Sequence, residues 1–305
     1  MGEWLGPLSL HGGSVFKGSY VALVTPFKNG RLDEAALARL IEFHLEGRTA
    51  GLVLCATTGE SPTLTPGEWR SVIETAAGRA KGKLAIVAYT GSNDTAATVA
   101  RTKEAHACGA DAVLVVTPYY NKPPQEGLFR HFEVVAGESS LPIIIYNVPS
   151  RTGVNILPST VVRLASLDRI AGIKEASGDL DQVSELSRLA GDRIAILSGD
   201  DSLTLPMLAV GAVGVISVVA NIAPRDVAEM IDQHGRGEVG RARQIHLALY
   251  PLVRALFVET NPIPVKRALS LIGLMGDEVR LPLVPLSKEG ERTLRKALKE
   301  YGVLS

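Results

Sequence analysis

The sequence is poor in cysteine, with only Cys55 and Cys108 in 305 residues and no CxxC spacing between them. This scarcity argues against a disulfide framework or a cysteine-bound metal, and we expect both thiols to be free and buried. Long apolar runs are also missing, since none reaches the roughly 18 residues that a membrane-spanning helix requires. Residues 1–13 lack the basic start and the continuous apolar stretch of a secretory signal. We therefore expect a cytoplasmic protein with no membrane partner.

An excess of charge of either sign is absent as well, because Lys plus Arg and Asp plus Glu each total 32. Without a global electrostatic field there is little to attract nucleic acid, so the expected partner is a small molecule. The six histidines fall mostly in predicted helices and never at a strand end in ligand spacing. We therefore expect neither a catalytic metal nor a bound cofactor.

Aromatic residues make up only 5% of the chain, whereas apolar residues make up 46% and Gly and Ala recur throughout. This balance is typical of helices packed closely on a buried sheet. Short runs rich in Val, Ile and Leu recur without alternation between helix-length segments, as in fully buried parallel strands. The eight predicted strands are Tyr20 to Thr25, Gly51 to Ala56, Leu84 to Tyr89, Ala112 to Thr117, Pro142 to Asn147, Ile170 to Glu175, Ile194 to Gly199, and Val213 to Val218.

Eight alternations of strand and helix predict an α/β fold, a TIM (β/α)₈ barrel with a C-terminal helical extension. A doubly wound open sheet shares the local pattern and is the structural alternative, although the spacing favours closure. We expect residues 1–15 to form a loosely held leader, 16–223 the barrel, and 224–305 a helical region packed on it. Helix starts are predicted at Asp33, at Thr65 with Pro66 and Glu68, and at Asn93 with Asp94.

Polar residues cluster at the C-terminal ends of the predicted strands, where a TIM barrel places its active site. Lys174 is the most informative, because Ile-Ala-Gly-Ile-Lys-Glu puts an ammonium-bearing side chain within a predicted central strand. Desolvation disfavours the charged form, and a neutral amine would attack a ketone to form a Schiff base. The alternative is that Lys174 pairs with a carboxylate such as Glu175 or points into solvent at the strand end.

Three hydroxyls and a guanidinium accompany this lysine at other strand ends. Thr57, Tyr120 and Tyr146 would form a proton relay, because hydroxyls both donate and accept hydrogen bonds. Arg151, five residues past Tyr146, offers a fork for a substrate carboxylate. The plainer interpretations are ordinary packing for the tyrosines, a helix cap for Thr57 and a surface position for Arg151.

Seven sequence blocks carry more information than any single residue. They are ATTGES (Ala56 to Ser61), TPYYNKP (Thr117 to Pro123), YNVPSRTG (Tyr146 to Gly153), GIKEASG (Gly172 to Gly178), LSGDD (Leu197 to Asp201), GVISVVAN (Gly214 to Asn221) and NPIPVK (Asn261 to Lys266). In this order they closely resemble the 4-hydroxy-tetrahydrodipicolinate synthase family, historically the dihydrodipicolinate synthase family. The resemblance extends from about Phe16 to Val303.

This resemblance implies condensation of pyruvate with L-aspartate 4-semialdehyde, the first committed step towards diaminopimelate and lysine. Lys174 would form the Schiff base with pyruvate, and no other cofactor is implied. Thr57, Tyr146 and Tyr120 would be the proton relay, with Tyr120 reaching in from a neighbouring subunit. The resemblance also implies a homotetramer, a dimer of dimers.

The resemblance further assigns the substrate-binding residues. Thr58 would hold the pyruvate carboxylate and Arg151 the semialdehyde carboxylate, while backbone near Gly199 and Ile216 would line the pocket. A departure concerns regulation at the dimer interface, where lysine-inhibited members generally carry two histidines and a glutamate. This chain has Pro66, Trp69 and Ala97 there, in a pocket that would also include Ser61, Asn93 and Tyr119. Without that carboxylate the lysine ammonium loses its partner, and we expect weak or absent feedback by lysine.

Other functions share parts of this pattern. N-acetylneuraminate lyases and 2-keto-3-deoxy sugar acid aldolases have the barrel and the lysine, but the pair Thr57-Thr58 and Arg151 in the SRTG loop argue against them. A catalytically silent barrel that binds a metabolite is a second alternative. A phosphate-binding barrel enzyme is a third, suggested by glycines near strands seven and eight, although such glycines also serve close backbone approach.

Overall fold

A computed structural model describes residues 16–304, so the predicted leader at residues 1–15 lies outside the described residues. Eight parallel strands close into a barrel in the order β1-β10-β9-β8-β7-β6-β5-β4, and β4 pairs back onto β1. These strands are β1 (Gly18–Ala22), β4 (Gly51–Leu54), β5 (Ala85–Tyr89), β6 (Ala112–Val116), β7 (Ile143–Asn147), β8 (Ile170–Glu175), β9 (Ala195–Ser198) and β10 (Gly214–Ser217). The predicted closed barrel is confirmed, and the open sheet is excluded.

Helices surround the barrel and continue beyond its last strand. They are α1 (Glu34–Glu46), α2 (Pro66–Ala80), α3 (Thr95–Ala107), α4 (Gln125–Glu138), α5 (Pro149–Thr152), α6 (Pro158–Leu164), α7 (Leu180–Ala190), α8 (Thr204–Ala209), α9 (Pro224–Gly235), α10 (Val239–Leu256), α11 (Ile263–Leu271) and α12 (Lys288–Tyr301). Helix α9 packs against β1 and α10, and α10 packs against α11 and α12. The predicted C-terminal helices are therefore present, while a boundary at residue 224 stays a prediction. Among residues 16–304, no helix is both long and apolar enough to cross a membrane.

The caps of the first helices form as their sequences indicate. Asp33 accepts a hydrogen bond from the Ala36 amide at 3.0 Å, and the side chain of Asp94 caps α3. Thr65 and Glu68 form a reciprocal capping box at the start of α2. These local bonds satisfy amides that the first helical turn leaves without partners.

Two apolar layers follow from the alternation of side chains along each strand. One layer fills the barrel interior, with Tyr20, Val53, Leu114 and Ile144 among its buried members. The other lies between the strands and the helices. Cys55 and Cys108 are free and buried, as predicted. An inward side chain near a strand's C-terminal end therefore reaches the mouth of the barrel, whereas its neighbours face the helices.

One pair of strands was not predicted from the sequence. Strands β2 (Phe27–Lys28) and β3 (Arg31–Leu32) pair antiparallel just after β1. Asn29 and Gly30 connect them with φ angles of 55° and 76°. An Asn-Gly dipeptide favours such a two-residue turn, so this signal was available, but strands of two residues are too short to produce a hydrophobic pattern.

Candidate active site

Lys174 occupies the inner face of β8, one residue before the strand ends. It lies opposite Tyr146 on β7 and Leu197 on β9 in the parallel register. The side chain is almost fully buried, with 6% of the residue exposed, and its Nζ lies 4.2 Å from the centre of the Tyr146 ring. The prediction that Lys174 is buried within a central strand is confirmed. The alternative, in which its side chain points into solvent, is wrong.

Glu175 faces the helices rather than Lys174, because adjacent residues of a strand point to opposite sides of the sheet. Its carboxylate accepts hydrogen bonds from Asn147 Nδ2 at 3.0 Å, from Gln182 Nε2 at 3.0 Å and from the Ser177 amide at 2.7 Å. Within residues 16–304, no salt bridge involves Lys174. The interpretation of Lys174 as a partner of Glu175 is therefore wrong, and the amine is left facing the barrel mouth.

A cavity of about 320 Å³ opens above Lys174. Six residues predicted from the sequence line it: Thr57, Thr58, Tyr146, Arg151, Lys174 and Gly199. A Cβ at Gly199 would lie 2.6 Å from the Ala176 Cβ and 3.1 Å from the Lys174 Cε. The absent side chain thus leaves room for the lysine and for a small molecule beside it.

The loop after β4 brings Thr57 and Thr58 to this cavity. The Glu60 amide donates to the Thr57 carbonyl at 3.1 Å and closes a tight turn. Thr58 is buried, and its Oγ1 lies 2.9 Å from Asn261 Nδ2, which donates to it. Thr57 caps no helix among the described residues. The interpretation of Thr57 as a helix cap is therefore wrong, and its side chain is available to the cavity.

Two predicted residues lie elsewhere. Tyr120 follows β6 on the protein surface, where 88% of it is exposed, and it does not line the cavity of its own chain. Its φ is 72°, an uncommon conformation for a residue with a side chain. Ile216 is buried on β10 beside Tyr20, within the barrel interior below the mouth. The roles of both residues in the site stay predictions.

The C-terminal helices supply one wall of the cavity, and this wall was not predicted from the sequence. Val253 and Arg254 of α10, Phe257 just after it, and Asn261 all line the opening, as do Asp200 and Ser202 after β9. The NPIPVK block contained Asn261, but helical periodicity alone cannot show which helix face meets the barrel. A second guanidinium, that of Arg254, therefore accompanies Arg151 around the cavity.

The Tyr89 phenol is held in its neutral form. Burial raises the pKa of Tyr89, and the nearby hydroxyls of Tyr119 and Tyr146 add to that rise. A protonated phenol both donates and accepts hydrogen bonds. Beside Lys174, the residues that carry hydroxyls include Tyr146, whose ring lies against the amine, and Thr57 and Thr58 in the same cavity. Among residues 16–304, no group of three His, Cys, Asp or Glu side chains is arranged to hold a metal ion.

Comparisons with known proteins point to one family. The family model for the dihydrodipicolinate synthetase family matches residues 15–301. The 4-hydroxy-tetrahydrodipicolinate synthase of Thermodesulfovibrio yellowstonii is 51% identical, over 95% of this chain and 100% of that protein. Crystalline dihydrodipicolinate synthase from Aquifex aeolicus is 51% identical with a TM-score of 0.93, covering 94% of this chain and 99% of its own. The chloride-inhibited dihydrodipicolinate synthase of Acinetobacter baumannii, complexed with pyruvate, is 42% identical with a TM-score of 0.92. The match covers 94% of this chain and 99% of that one.

Proposed function

Because the chain belongs to the dihydrodipicolinate synthetase family, we propose that it condenses pyruvate with L-aspartate 4-semialdehyde to give 4-hydroxy-tetrahydrodipicolinate. This reaction belongs to the biosynthesis of diaminopimelate and lysine and makes the protein a lyase. The observation that carries the proposal is the position of Lys174. Its amine is buried beside Tyr146 at the base of an open cavity, and no carboxylate of residues 16–304 forms a salt bridge with it.

The first step is covalent attachment of pyruvate. The amine of Lys174 adds to the keto carbon to give a carbinolamine, which takes up one proton and loses water to leave a protonated imine. This iminium withdraws electrons from the adjacent methyl group, so that a methyl proton can leave and an enamine forms. The enamine carbon then attacks the aldehyde carbon of the second substrate, whose oxygen takes up a proton. The amino group that the semialdehyde contributes then attacks the imine carbon and closes the ring, and the bond from that carbon to the Lys174 nitrogen breaks to release the free lysine.

The proton transfers are assigned to hydroxyl groups. Tyr146 lies against the Lys174 amine, and Thr57 lines the same cavity. Both are placed to pass protons between the reacting carbon and solvent if Tyr120 of a second subunit completes the relay. We propose this subunit arrangement because Tyr120 is exposed and lies outside its own cavity. A homotetramer built as a dimer of dimers would provide it.

The two carboxylates of the substrates are assigned to different groups. Thr58 presents a buried hydroxyl to the cavity and would hold the pyruvate carboxylate. Arg151 lies on α5 at the rim and would form a forked pair with the semialdehyde carboxylate. Backbone near Gly199 and Ile216 would complete the pocket. The reaction as written needs no cofactor beyond the covalent lysine, and the balanced charge and free thiols support a cytoplasmic location.

A steady-state comparison of two reactions tests the proposed function. Condensation of pyruvate with L-aspartate 4-semialdehyde is expected to exceed cleavage of N-acetylneuraminate by at least about 10³-fold in kcat/KM, since a site built for a polar substrate rejects one that mispairs its groups. The two reactions are followed with the same enzyme preparation, by product absorbance and by pyruvate release. Faster cleavage of N-acetylneuraminate or of a 2-keto-3-deoxy sugar acid would contradict the proposal.

Feedback inhibition by lysine is expected to be weak or absent. Trp69 is buried, its indole N–H donates to the Tyr89 carbonyl at 3.1 Å, and the Arg101 guanidinium lies 5.2 Å from its ring. Trp69 stands where lysine-inhibited members generally carry a histidine, the Arg101 guanidinium beside it would repel an ammonium, and Ala97 offers no carboxylate. Millimolar L-lysine should change the rate by less than about twofold, below the effect of typical allosteric coupling. D-lysine at equal concentration controls for ionic strength, and inhibition specific to the L form would refute this expectation.

A further inference from the structure

A buried ion pair joins the cavity loop to the C-terminal helices. Lys266 of α11 is 0% exposed, and its Nζ lies 2.5 Å from Oε1 of Glu60. The other Glu60 oxygen accepts from the Arg280 amide at 3.0 Å. The Lys266 ammonium also lies 4.3 Å from the centre of the Phe27 ring. The pair thus brings together two segments that are 206 residues apart in sequence.

Glu60 belongs to the same turn that presents Thr57 and Thr58. Its backbone is left-handed, with a φ of 54°, and its amide donates to the Thr57 carbonyl. Thr25 Oγ1 donates to the Gly59 carbonyl at 2.8 Å. The turn is therefore held from the loop after β1 and from α11, and any movement of Glu60 would be transmitted directly to Thr57.

Stability alone does not account for this pair. Taking two charges out of water costs about as much as their attraction returns, and replacing a buried ion pair with apolar groups is often neutral or stabilising. Directional charged contacts instead fix geometry, because they are satisfied in one arrangement of the two segments. A neutral hydrogen bond joins the same turn to the C-terminal region nearby, where Asn261 Nδ2 donates to Thr58 Oγ1 at 2.9 Å.

We propose that Glu60 and Lys266 are positioning residues, which fix the turn so that the Thr57 and Thr58 hydroxyls meet pyruvate bound on Lys174. Neither residue lines the cavity, and both act through the turn. This inference rests on the proposed function, since it concerns the proton transfer that converts the imine to the enamine. The expected consequence of disturbing the pair is slower proton removal from the pyruvate methyl group, with imine formation largely retained.

The test separates these two steps in a double variant, Glu60→Gln with Lys266→Met, which removes both charges at nearly constant volume. Exchange of pyruvate methyl protons with deuterated solvent, followed by NMR, reports enamine formation. Borohydride trapping of pyruvate, followed by mass spectrometry, reports the imine. We expect exchange and kcat to fall about 10- to 100-fold, with trapping at saturating pyruvate nearly unchanged. Arg267→Gln is the matched control, because Arg267 is the next residue of the same helix but pairs outward with Asp277 and Glu291.

Glu60→Asp is the second variant, and it provides the test if the double variant does not fold. It keeps both charges but shortens the carboxylate side chain by one methylene group. Exchange of the pyruvate methyl protons should therefore be slower, while the circular dichroism spectrum and the amount of trapped pyruvate should match those of the wild-type protein. The positioning role is refuted if the folded variants exchange pyruvate protons as fast as the Arg267→Gln control. Failure of the wild-type protein to trap pyruvate or to exchange its protons would instead refute the proposed function itself.

Discussion

Borohydride reduction in the presence of pyruvate is expected to add one reduced pyruvate to the protein, at Lys174 and at no other lysine. The reason is local: this amine lies buried at the base of the cavity, and among residues 16–304 no carboxylate forms a salt bridge with it, whereas an ammonium held in an ion pair is a poor nucleophile. Peptide mass spectrometry locates the adduct. In the Lys174→Ala variant the adduct should be absent, and kcat should fall by at least about 10³-fold.

Two lysines provide the controls for this experiment. Lys103 has a side chain that is 57% exposed and paired with Glu138, so Lys103→Ala should keep full activity and full trapping. Lys266 is buried like Lys174 but bound to Glu60, and it should acquire no adduct in the wild-type protein. An adduct at either control lysine, or full condensation activity in Lys174→Ala, would show that the nucleophile has been misassigned.

The barrel and its lysine were predictable because both depend on short-range pattern. Unbroken runs of Val, Ile and Leu indicate strands buried on both faces, and Lys174 interrupts such a run near its end. The outward direction of Glu175 follows from the same alternation and removes the ion pair that had been an alternative. Strand ends were less certain, and every barrel strand except β8 is one or two residues shorter than predicted, because flanking residues such as Leu84, Ile194 and Val213 are also apolar.

The remaining wall of the cavity depends on contacts that no local pattern reports. Asn261 reaches Thr58 across 203 residues of sequence, and the face of α10 that lines the cavity is set by its packing on the barrel. Each side of α10 carries apolar residues, including the exposed Leu247 and Tyr250. Periodicity therefore identifies the helix but not the side that meets the substrate.

Mixing two inactive variants is expected to restore activity if Tyr120 acts in a neighbouring subunit. Tyr120→Phe removes the hydroxyl and should lower kcat by about 10²-fold or more, whereas Lys174→Ala removes the nucleophile. In a mixed dimer, the site with intact Lys174 receives its Tyr120 from the Lys174→Ala subunit and is complete. The other site lacks both groups. Equal co-expression makes about half of the dimers mixed, so about a quarter of wild-type activity should return.

The geometry around Tyr120 is the reason to expect recovery. The side chain is exposed and the backbone has a positive φ, while the Tyr120 amide lies 3.4 Å from the Thr152 carbonyl beside the Arg151 loop. An aromatic residue held in a costly conformation and directed away from its own protein is consistent with a contact made outside the chain. Differently tagged subunits allow the mixed dimers to be purified and assayed. If Tyr120 served its own subunit, each site of a mixed dimer would lack one essential group, and activity would stay at the level of Tyr120→Phe.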